Sequence, residues 1–568
     1  MKQPTARRRR VHTPQEPIPA AMQAAVDQAL AAIAPVRKDK ALPLLQAIQA
    51  RLGYLPGPAL TYASQRSRIP LADLKALVSF YDLLTPEPNS GVVLHCCDDI
   101  VCRSAPGFAG FVAGLEAGGQ TVHFAPCLGR CEQGPVALRT HAAANPAQAF
   151  GGYGAWAVEE SRPARMDWPA GYQPLLLERC GRYDPDDLEG YREAGGLAAL
   201  DLARSMRPAD LVGLVKSSRL VGRGGAAFPT GIKWEGVLNA PTPLGAGPDG
   251  ASKYVVINAD ESEPGTFTNR ILMEEDPMAV VESALIAAHA VGADQVYLYV
   301  RGEYPLAVKR CSAAIDTFRT HGLLGDVGFE IRCGGGRYVC GEETALFASI
   351  EGERGAPRVK PPFPTTNGLF NRPTLINNVE TLQNLIPLLK RGPETWNLHE
   401  PKLFSISGHV ANPGVYEVPM GTTLRALIDL AGGPVGEIQA VLMGGASGMF
   451  IGPERLDTPL EFRAMAAAGA TLGSGAVMLF NTATDLWDLA RRAARFFAEE
   501  SCGKCVPCRV GTARQQEMVD QFAQGDRRFV PLHDELRQAM ADASICGLGH
   551  TAANPIRSLL KLKGVTCP

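Results

Sequence analysis

Four cysteines near the C-terminus carry the plainest chemical signal in the sequence. Cys502-Gly503-Lys504-Cys505-Val506-Pro507-Cys508 sets three thiols at two-residue gaps, and Cys546, in Ser544-Ile545-Cys546-Gly547-Leu548-Gly549, follows roughly forty residues later. Three near thiolates and one distant one match the ligand count of a cubane [4Fe-4S] cluster. Structural zinc, which more often takes two separated CxxC-like pairs, is the alternative. A second group, Cys97, Cys102, Cys127 and Cys131, has four and three residues between the members of its pairs, each pair at the end of a predicted strand. That spacing suits a [2Fe-2S] cluster, again with zinc as the alternative. Cys180, Cys311, Cys333, Cys340 and Cys567 have no comparable neighbours and read as ordinary buried thiols.

A third stretch, Val221 to Trp234, could hold a flat, phosphate-bearing cofactor. Gly222, Gly224 and Gly225 let backbone N–H groups approach an anion, Arg223 and Lys233 add positive charge, and Phe228 and Trp234 offer ring faces. The spacing is neither GxGxxG nor GxxxxGK[ST], so an ordinary dinucleotide fingerprint or P-loop is not supported, and a plain glycine-rich turn is the alternative. Two acidic loops, Asn258 to Gly265 and Cys333 to Glu343, could bond ribityl and ribose hydroxyls or could be solvated surface.

These residues need elements to position them. Leu42, Leu44, Leu45, Ile48 and Leu52, then Leu71, Leu74, Leu77 and Val78, recur at helical spacing before any strand appears. Val92 to His95 and Thr121 to Phe124 read as strands flanking a helix. Strands at Tyr254 to Asn258, Gln295 to Val300 and Phe329 to Arg332 alternate with helical stretches around 277–292 and 305–320. That order predicts a parallel sheet, with ligand loops after its strands. Leu403 to His409 turns at Asn412-Pro413-Gly414 into Val415 to Val418, and a helix from Thr423 ends at Gly432-Gly433, the outline of a β-grasp unit. In the tail, Leu486, Leu489, Ala493, Phe496 and Phe497 share one face behind an Asp485 cap, and Leu532, Leu536 and Met540 share another.

With 568 residues the chain exceeds one core, and 56 basic against 58 acidic side chains argue against nucleic-acid binding. Arg7 to Arg10 lack an apolar export segment behind them, and the longest apolar run, Met278 to Ala293, is interrupted by Glu282, Ser283 and His289. A cytoplasmic protein without a membrane span is expected.

The glycine loop, the Asn258 loop, the two cysteine groups, Tyr338-Val339-Cys340-Gly341-Glu342-Glu343-Thr344 and Lys360-Pro361-Pro362-Phe363-Pro364 together resemble the NADH-binding flavoprotein subunit of respiratory complex I. The N-terminal part resembles that complex's thioredoxin-like [2Fe-2S] subunit, fused in front. A fused chain of this kind looks most like the β subunit of NAD-dependent molybdenum or tungsten formate dehydrogenases. The alternatives are the flavin subunit of NAD-reducing hydrogenase and a complex I-type NADH dehydrogenase subunit. An α/β multidomain fold is expected: composition and periodicity make residues 1–20 a disordered basic tail, 21–85 a helical lead-in and 156–185 a linker, and the resemblance makes 86–155 a thioredoxin-like [2Fe-2S] domain. It continues with 186–400, a Rossmann-like FMN- and NADH-binding domain, 401–484, a β-grasp, SLBB-like domain, and 485–568, a helical [4Fe-4S] domain.

It also implies that FMN is held by Gly222, Arg223, Gly224, Gly225, Lys233, Asn258, Asp260, Gly341, Glu342, Asn377, Asn378 and Thr381. NAD would meet Phe228, Glu263, Tyr338, Glu343, Lys360 and Phe363. Hydride would pass between NAD and FMN with no protein group as nucleophile or general acid, and the implied partner is a molybdopterin-bearing, iron–sulfur catalytic α subunit. Ala227 stands where the family usually has a further glycine, and Gly236 where some members carry an aromatic. The Cys96-Cys97 doublet leaves the register open, and Cys97 gives the four-residue gap to Cys102.

Overall fold

The computed structural model describes residues 18–88, 92–117, 121–141, 156–158, 165–241 and 245–565. Arg7 to Arg10 and Cys567 lie outside them. The lead-in forms helices Ala20–Ala32, Ala41–Leu52, Gly57–Ser67 and Leu71–Val78. Leu42, Leu44, Leu45, Ile48, Leu74 and Leu77 are buried, as helical spacing requires. These helices dock on the central α/β unit. Leu83 N donates to the Gly335 carbonyl at 3.0 Å, Gln46 reaches the Gly334 carbonyl at 3.2 Å, and Arg332 pairs with Asp39 at 3.0 Å, both almost fully buried.

The described residues form three sheets. In the first, Val92–Cys97 runs parallel to Thr121–Ala125 and antiparallel to Ala137–His141, which pairs with Trp156–Val158. The second is parallel throughout, in the order Gly328–Cys333, Gln295–Val300, Tyr254–Ala259, Thr374–Asn378. Its central strands read Tyr-Val-Val-Ile and Val-Tyr-Leu-Tyr-Val without alternation because helices cover both faces. Pro277–Val291 is one of those helices, opened by a first-turn proline and closed by Gly292 at φ 67°. It contains most of the longest apolar run and is buried along its length except at His289. Among the described residues no helix is long and apolar enough to cross a membrane.

The third sheet has six strands, in the order Met449–Ile451, Ile438–Met443, Ala476–Asn481, Pro401–Gly408, Gly414–Pro419, Met166–Asp167. Thr423 caps the helix Leu424–Leu430 as expected. The stretch read as a linker is more than that: it adds an edge strand to the first sheet and another to the third. Its Leu175, Leu176 and Leu177 are buried, and their N–H groups all donate to the carboxylate of Glu417. The tail helices Leu486–Glu500 and Val506–Ala523 bury Phe496, Phe497, Val519 and Phe522, and Trp487 of the first meets Phe522 of the second. On Val530–Ala543 the expected face holds at Met540, which is buried, and at Leu536, which packs on the core, and is corrected at Leu532, which is 48% exposed; Val530 and His533 are buried as well.

Candidate functional site

The parallel sheet presents its carboxyl ends to one side, and most of the expected cofactor residues lie there. Asn258 and Asn378 are direct partners on neighbouring strands, as are Ile257 and Asn377. Asn258 donates to the Gly341 carbonyl at 2.8 Å and accepts from Asp260 N at 3.1 Å. Asn378 donates to Asn269 at 2.6 Å, and its oxygen caps the helix Val379–Gln383. The glycine loop is tied to that helix by Arg223 N, which donates to Thr381 Oγ1 at 2.8 Å. A side chain at Gly224 would crowd Asn378 at 3.2 Å, and Gly225 adopts φ 107°, a backbone conformation that other residues rarely take. Ala227, at φ 51°, also occupies the left-handed region, where a glycine would be unstrained.

Several expected side chains act differently from the sequence reading. Trp234 offers no ring face; it is fully buried and donates to Asn377 at 2.9 Å. The Arg223 guanidinium is buried, with Nη2 2.7 Å from Glu400 and its other two nitrogens without a hydrogen-bond partner among the described residues. Glu261 accepts from Asn269 N and Arg270 N at 2.7 and 2.9 Å, serving the start of the helix Thr268–Glu275. Glu342 caps Glu343–Ile350 in the same manner.

Lys233, Glu343, Lys360 and Glu342 form an alternating chain of charges, at 3.3, 2.6 and 2.9 Å. Burial works against the Glu343 charge, but Lys233 and Lys360 outweigh it and hold its carboxyl below the usual range. Phe228 and Phe363 are 50% and 57% exposed, with the Lys233 ammonium 5.9 Å from the Phe228 ring centre. Glu263 accepts from the Tyr338 hydroxyl at 2.6 Å and from Ser447 N, in the third-sheet unit, at 2.6 Å. Burial pushes Glu263 up to about 7 and Asp260 up to about 8. The backbone at Gly341 lies so close to Asp260 that a Cβ there would be 3.3 Å from its carbonyl.

Cys502, Cys505, Cys508 and Cys546 line one recess with Val339, Pro357, Ile545 and Leu548. Cys505 and Cys546 each precede the first residue of a helix. Burial pushes Cys508 up to about 11 and Cys546 up to about 12. In the first sheet, strand alternation separates the doublet. Cys97 packs with Cys102 and Leu128, whereas Cys96 packs on the other face with Phe108 and Ala137. Cys127 and Cys131 Sγ are 3.5 Å apart, and Cys97 is in hydrogen-bonding reach of Cys102 and Cys127. Both thiol sets therefore fit compact iron–sulfur ligation with apolar walls. Cys180, Cys311, Cys333 and Cys340 are buried outside both sets.

The chain has clear relatives among known proteins. Residues 215–386 match the Nuo51 FMN-binding domain, 488–562 the NADH-ubiquinone oxidoreductase-F iron-sulfur binding region, 403–441 the SLBB domain, and 26–147 the thioredoxin-like [2Fe-2S] ferredoxin. The NADP-reducing hydrogenase subunit HndC of Solidesulfovibrio fructosivorans is 40% identical over 405 residues, 68% of this chain and 81% of that one. The F 2 subunit of the NADH-quinone oxidoreductase of Rhizobium meliloti is 40% identical over 411 residues, 69% of this chain and 96% of that one. The chain belongs to this family of NADH-binding flavoprotein subunits. A solved NAD+-reducing [NiFe]-hydrogenase in its H2-reduced state aligns over 95% of this chain and 91% of its own, with TM-score 0.76 and 30% identity.

As a member of the family, the chain is an oxidoreductase subunit with an FMN-binding domain, a thioredoxin-like [2Fe-2S] domain and a [4Fe-4S] region. The [2Fe-2S] match runs through the lead-in helices and the cysteine sheet together. Sequence reasoning from the residues missed the fourth parallel strand, Thr374–Asn378, whose Thr-Leu-Ile-Asn-Asn is short and ends in polar residues. It also missed Ser447, whose backbone reaches Glu263 from another domain and leaves no local signal.

Proposed function

We propose that this chain is the NAD-linked, flavin-bearing β subunit of a formate dehydrogenase, passing electrons between NAD and iron–sulfur clusters through FMN. The observation that supports it best is the fusion: a thioredoxin-like [2Fe-2S] domain and the FMN and [4Fe-4S] regions lie in one chain. In this reading, FMN when bound accepts hydride from NADH, or returns it, and exchanges single electrons with the clusters. The chain's own residues hold and orient. Gly222, Gly224, Gly225, Lys233, Asn258, Asp260, Gly341, Asn377, Asn378 and Thr381 supply the flavin cradle, with Arg223 and Glu342 serving it through their backbones and helix cap. Phe228, Glu263, Tyr338, Glu343, Lys360 and Phe363 form the dinucleotide side. Cys502, Cys505, Cys508 and Cys546 would ligate the [4Fe-4S] cluster, and Cys97, Cys102, Cys127 and Cys131 the [2Fe-2S] cluster. No side chain is needed as a proton donor in hydride transfer.

A second reading, the flavin subunit of an NAD-reducing hydrogenase, is favoured by the near full-length likeness to the NAD+-reducing [NiFe]-hydrogenase. The two part on the partner that completes the enzyme. The isolated chain should reduce ferricyanide with NADH and oxidise neither formate nor hydrogen. Addition of a molybdopterin-bearing, iron–sulfur subunit should give formate-dependent NAD reduction. If the isolated chain oxidises formate, the division of labour is wrong; if only a nickel–iron subunit gives turnover, the hydrogenase reading holds.

A further inference from the structure

A buried ion pair lies where the [2Fe-2S] domain meets the FMN-binding domain, and neither cofactor cradle uses it. Arg301 and Glu303, just beyond the strand Gln295–Val300, are 2% and 5% exposed, and pair through two contacts at 3.2 and 2.9 Å. The same guanidinium donates to the carbonyl of Cys127 at 2.6 Å and to that of Glu261 at 2.7 Å. Two residues further along the cysteine loop, Arg270 donates to the Gly129 carbonyl at 3.0 Å, and it is paired with Glu132 and Glu274. Two arginines from the FMN-binding domain therefore grip the loop that carries Cys127 and Cys131. Glu303 also faces Asp260 on the flavin side and opposes its ionisation.

We propose that Arg301 and Glu303 act as opposed, nearly balanced charges on the reduction potential of the [2Fe-2S] cluster, from outside the domain that ligates it. The inference rests on reading Cys97, Cys102, Cys127 and Cys131 as the ligands. Reduction takes one electron and adds one negative charge to a buried site, where charges are poorly screened and cluster potentials follow local charge and hydrogen bonding. A guanidinium bonded to the backbone of a ligand favours the reduced state, and the carboxylate beside it disfavours it. Within the pair the two effects largely cancel, so removing one partner should shift the potential and removing both should not. The cluster's poise against the flavin would then be sensitive to any imbalance of charge at the domain junction.

The test is an EPR-monitored redox titration of the full chain, with iron and flavin content measured alongside. Arg301→Gln should disfavour reduction of the [2Fe-2S] cluster about tenfold, a fall of about 59 mV for one electron. Glu303→Gln should shift it the other way by a similar factor, and the double variant should lie near the parent. Arg301→Lys keeps the charge and should stay near the parent, so it and Glu303→Gln carry the test if Arg301→Gln fails to assemble. Shifts of the same sign for Arg301→Gln and Glu303→Gln, or no shift in either with the cluster signal intact, would overturn the proposal. A [2Fe-2S] signal that survives Cys97→Ser would instead overturn the ligand reading on which it rests.

Discussion

The cofactor side of the sheet is braced from behind by a second buried ion pair, and removing its cation should loosen the site. Lys402 and Glu380 are both fully buried, with the ammonium 3.0 and 2.9 Å from the two carboxylate oxygens. Lys402 also donates to the carbonyls of Leu403 and Ser474, and Leu403 N donates to Glu380. Glu380 sits between Asn378 and Thr381, the residues that meet the glycine loop, so the pair ties the SLBB unit to the loop proposed to cradle flavin. Lys402→Met leaves a carboxylate buried without its cation, a loss of about 3–5 kcal/mol in comparable cases. Leu403 N–H remains as a partner, which favours the lower end, about 3 kcal/mol. For a unit of this size that lowers the melting point by roughly 10 °C.

The assay is thermal release of flavin, followed by the fluorescence of free FMN, because it reports on the cradle and not on the most stable domain. Lys402→Met/Glu380→Gln should recover most of the loss, since the amide can both accept from Leu403 N–H and donate to the carbonyls that the lysine served. A single variant that loses less than about 1 kcal/mol, or a double variant no better than the single, would refute the reasoning.

Cys546→Ser should remove the [4Fe-4S] EPR signal, spare the [2Fe-2S] signal and keep much of the NADH–ferricyanide activity; an unchanged [4Fe-4S] signal would sink the four-thiol set. Cys97→Ser should abolish the [2Fe-2S] signal and Cys96→Ser should preserve it, because strand alternation turns Cys96 to the opposite face. Burial raises Glu263 to about 7, so its ionised fraction grows between pH 6 and 8. KM for NADH should fall over that range in the parent and be flat in Glu263→Gln, with flavin content unchanged; flavin loss would place Glu263 on the other ligand. Ala227→Gly should relieve a left-handed alanine at some cost in chain entropy, a net gain of ~0.5–1 kcal/mol and a flavin-release midpoint higher by roughly 2 °C.

What the sequence reveals and what it hides divide by range. Cys502 to Cys508 suggest a cluster because three thiols lie close in the chain, and the β-grasp hairpin is legible because its turn is local. The side-by-side placement of Asn258 and Asn378 is a register of parallel strands more than a hundred residues apart, and no periodicity encodes it. Side-chain chemistry misleads where a reactive type serves packing. Trp234 beside a glycine loop looks like a stacking surface, yet its N–H is needed by buried Asn377, which draws the ring into the core. Glu261 and Glu342 look like hydroxyl ligands within acidic loops, yet helix starts next to them offer N–H groups that a carboxylate satisfies at close range. Leu532 fits a helical stripe by spacing alone and lies on the solvent side, because burial on that helix is decided by what packs against it.

The segment 337–341 shows why such a site is built between domains. Val339 lines the [4Fe-4S] recess, and two residues later Gly341 backs onto Asp260 on the flavin side. One short piece of backbone thus runs from the cysteine recess to the loop of Asp260, and under the proposed cofactor placement its position would bear on transfer steps that are sensitive to small displacements. That piece is held at every side. Arg337 donates to the carbonyls of Phe80 in the lead-in and Glu499 in the tail, both at 2.6 Å, and pairs with Asp82 at 3.0 Å. Tyr338 N donates to Glu500 at 2.9 Å, its ring meets Phe496 edge-on at 5.0 Å, and its hydroxyl holds Glu263. An element positioned by one domain alone would move with that domain's own fluctuations. Held by the lead-in, the tail helix and the SLBB unit through Glu263 and Ser447, it can shift only if several units shift together, which ties the geometry of electron delivery to the assembly of the whole chain.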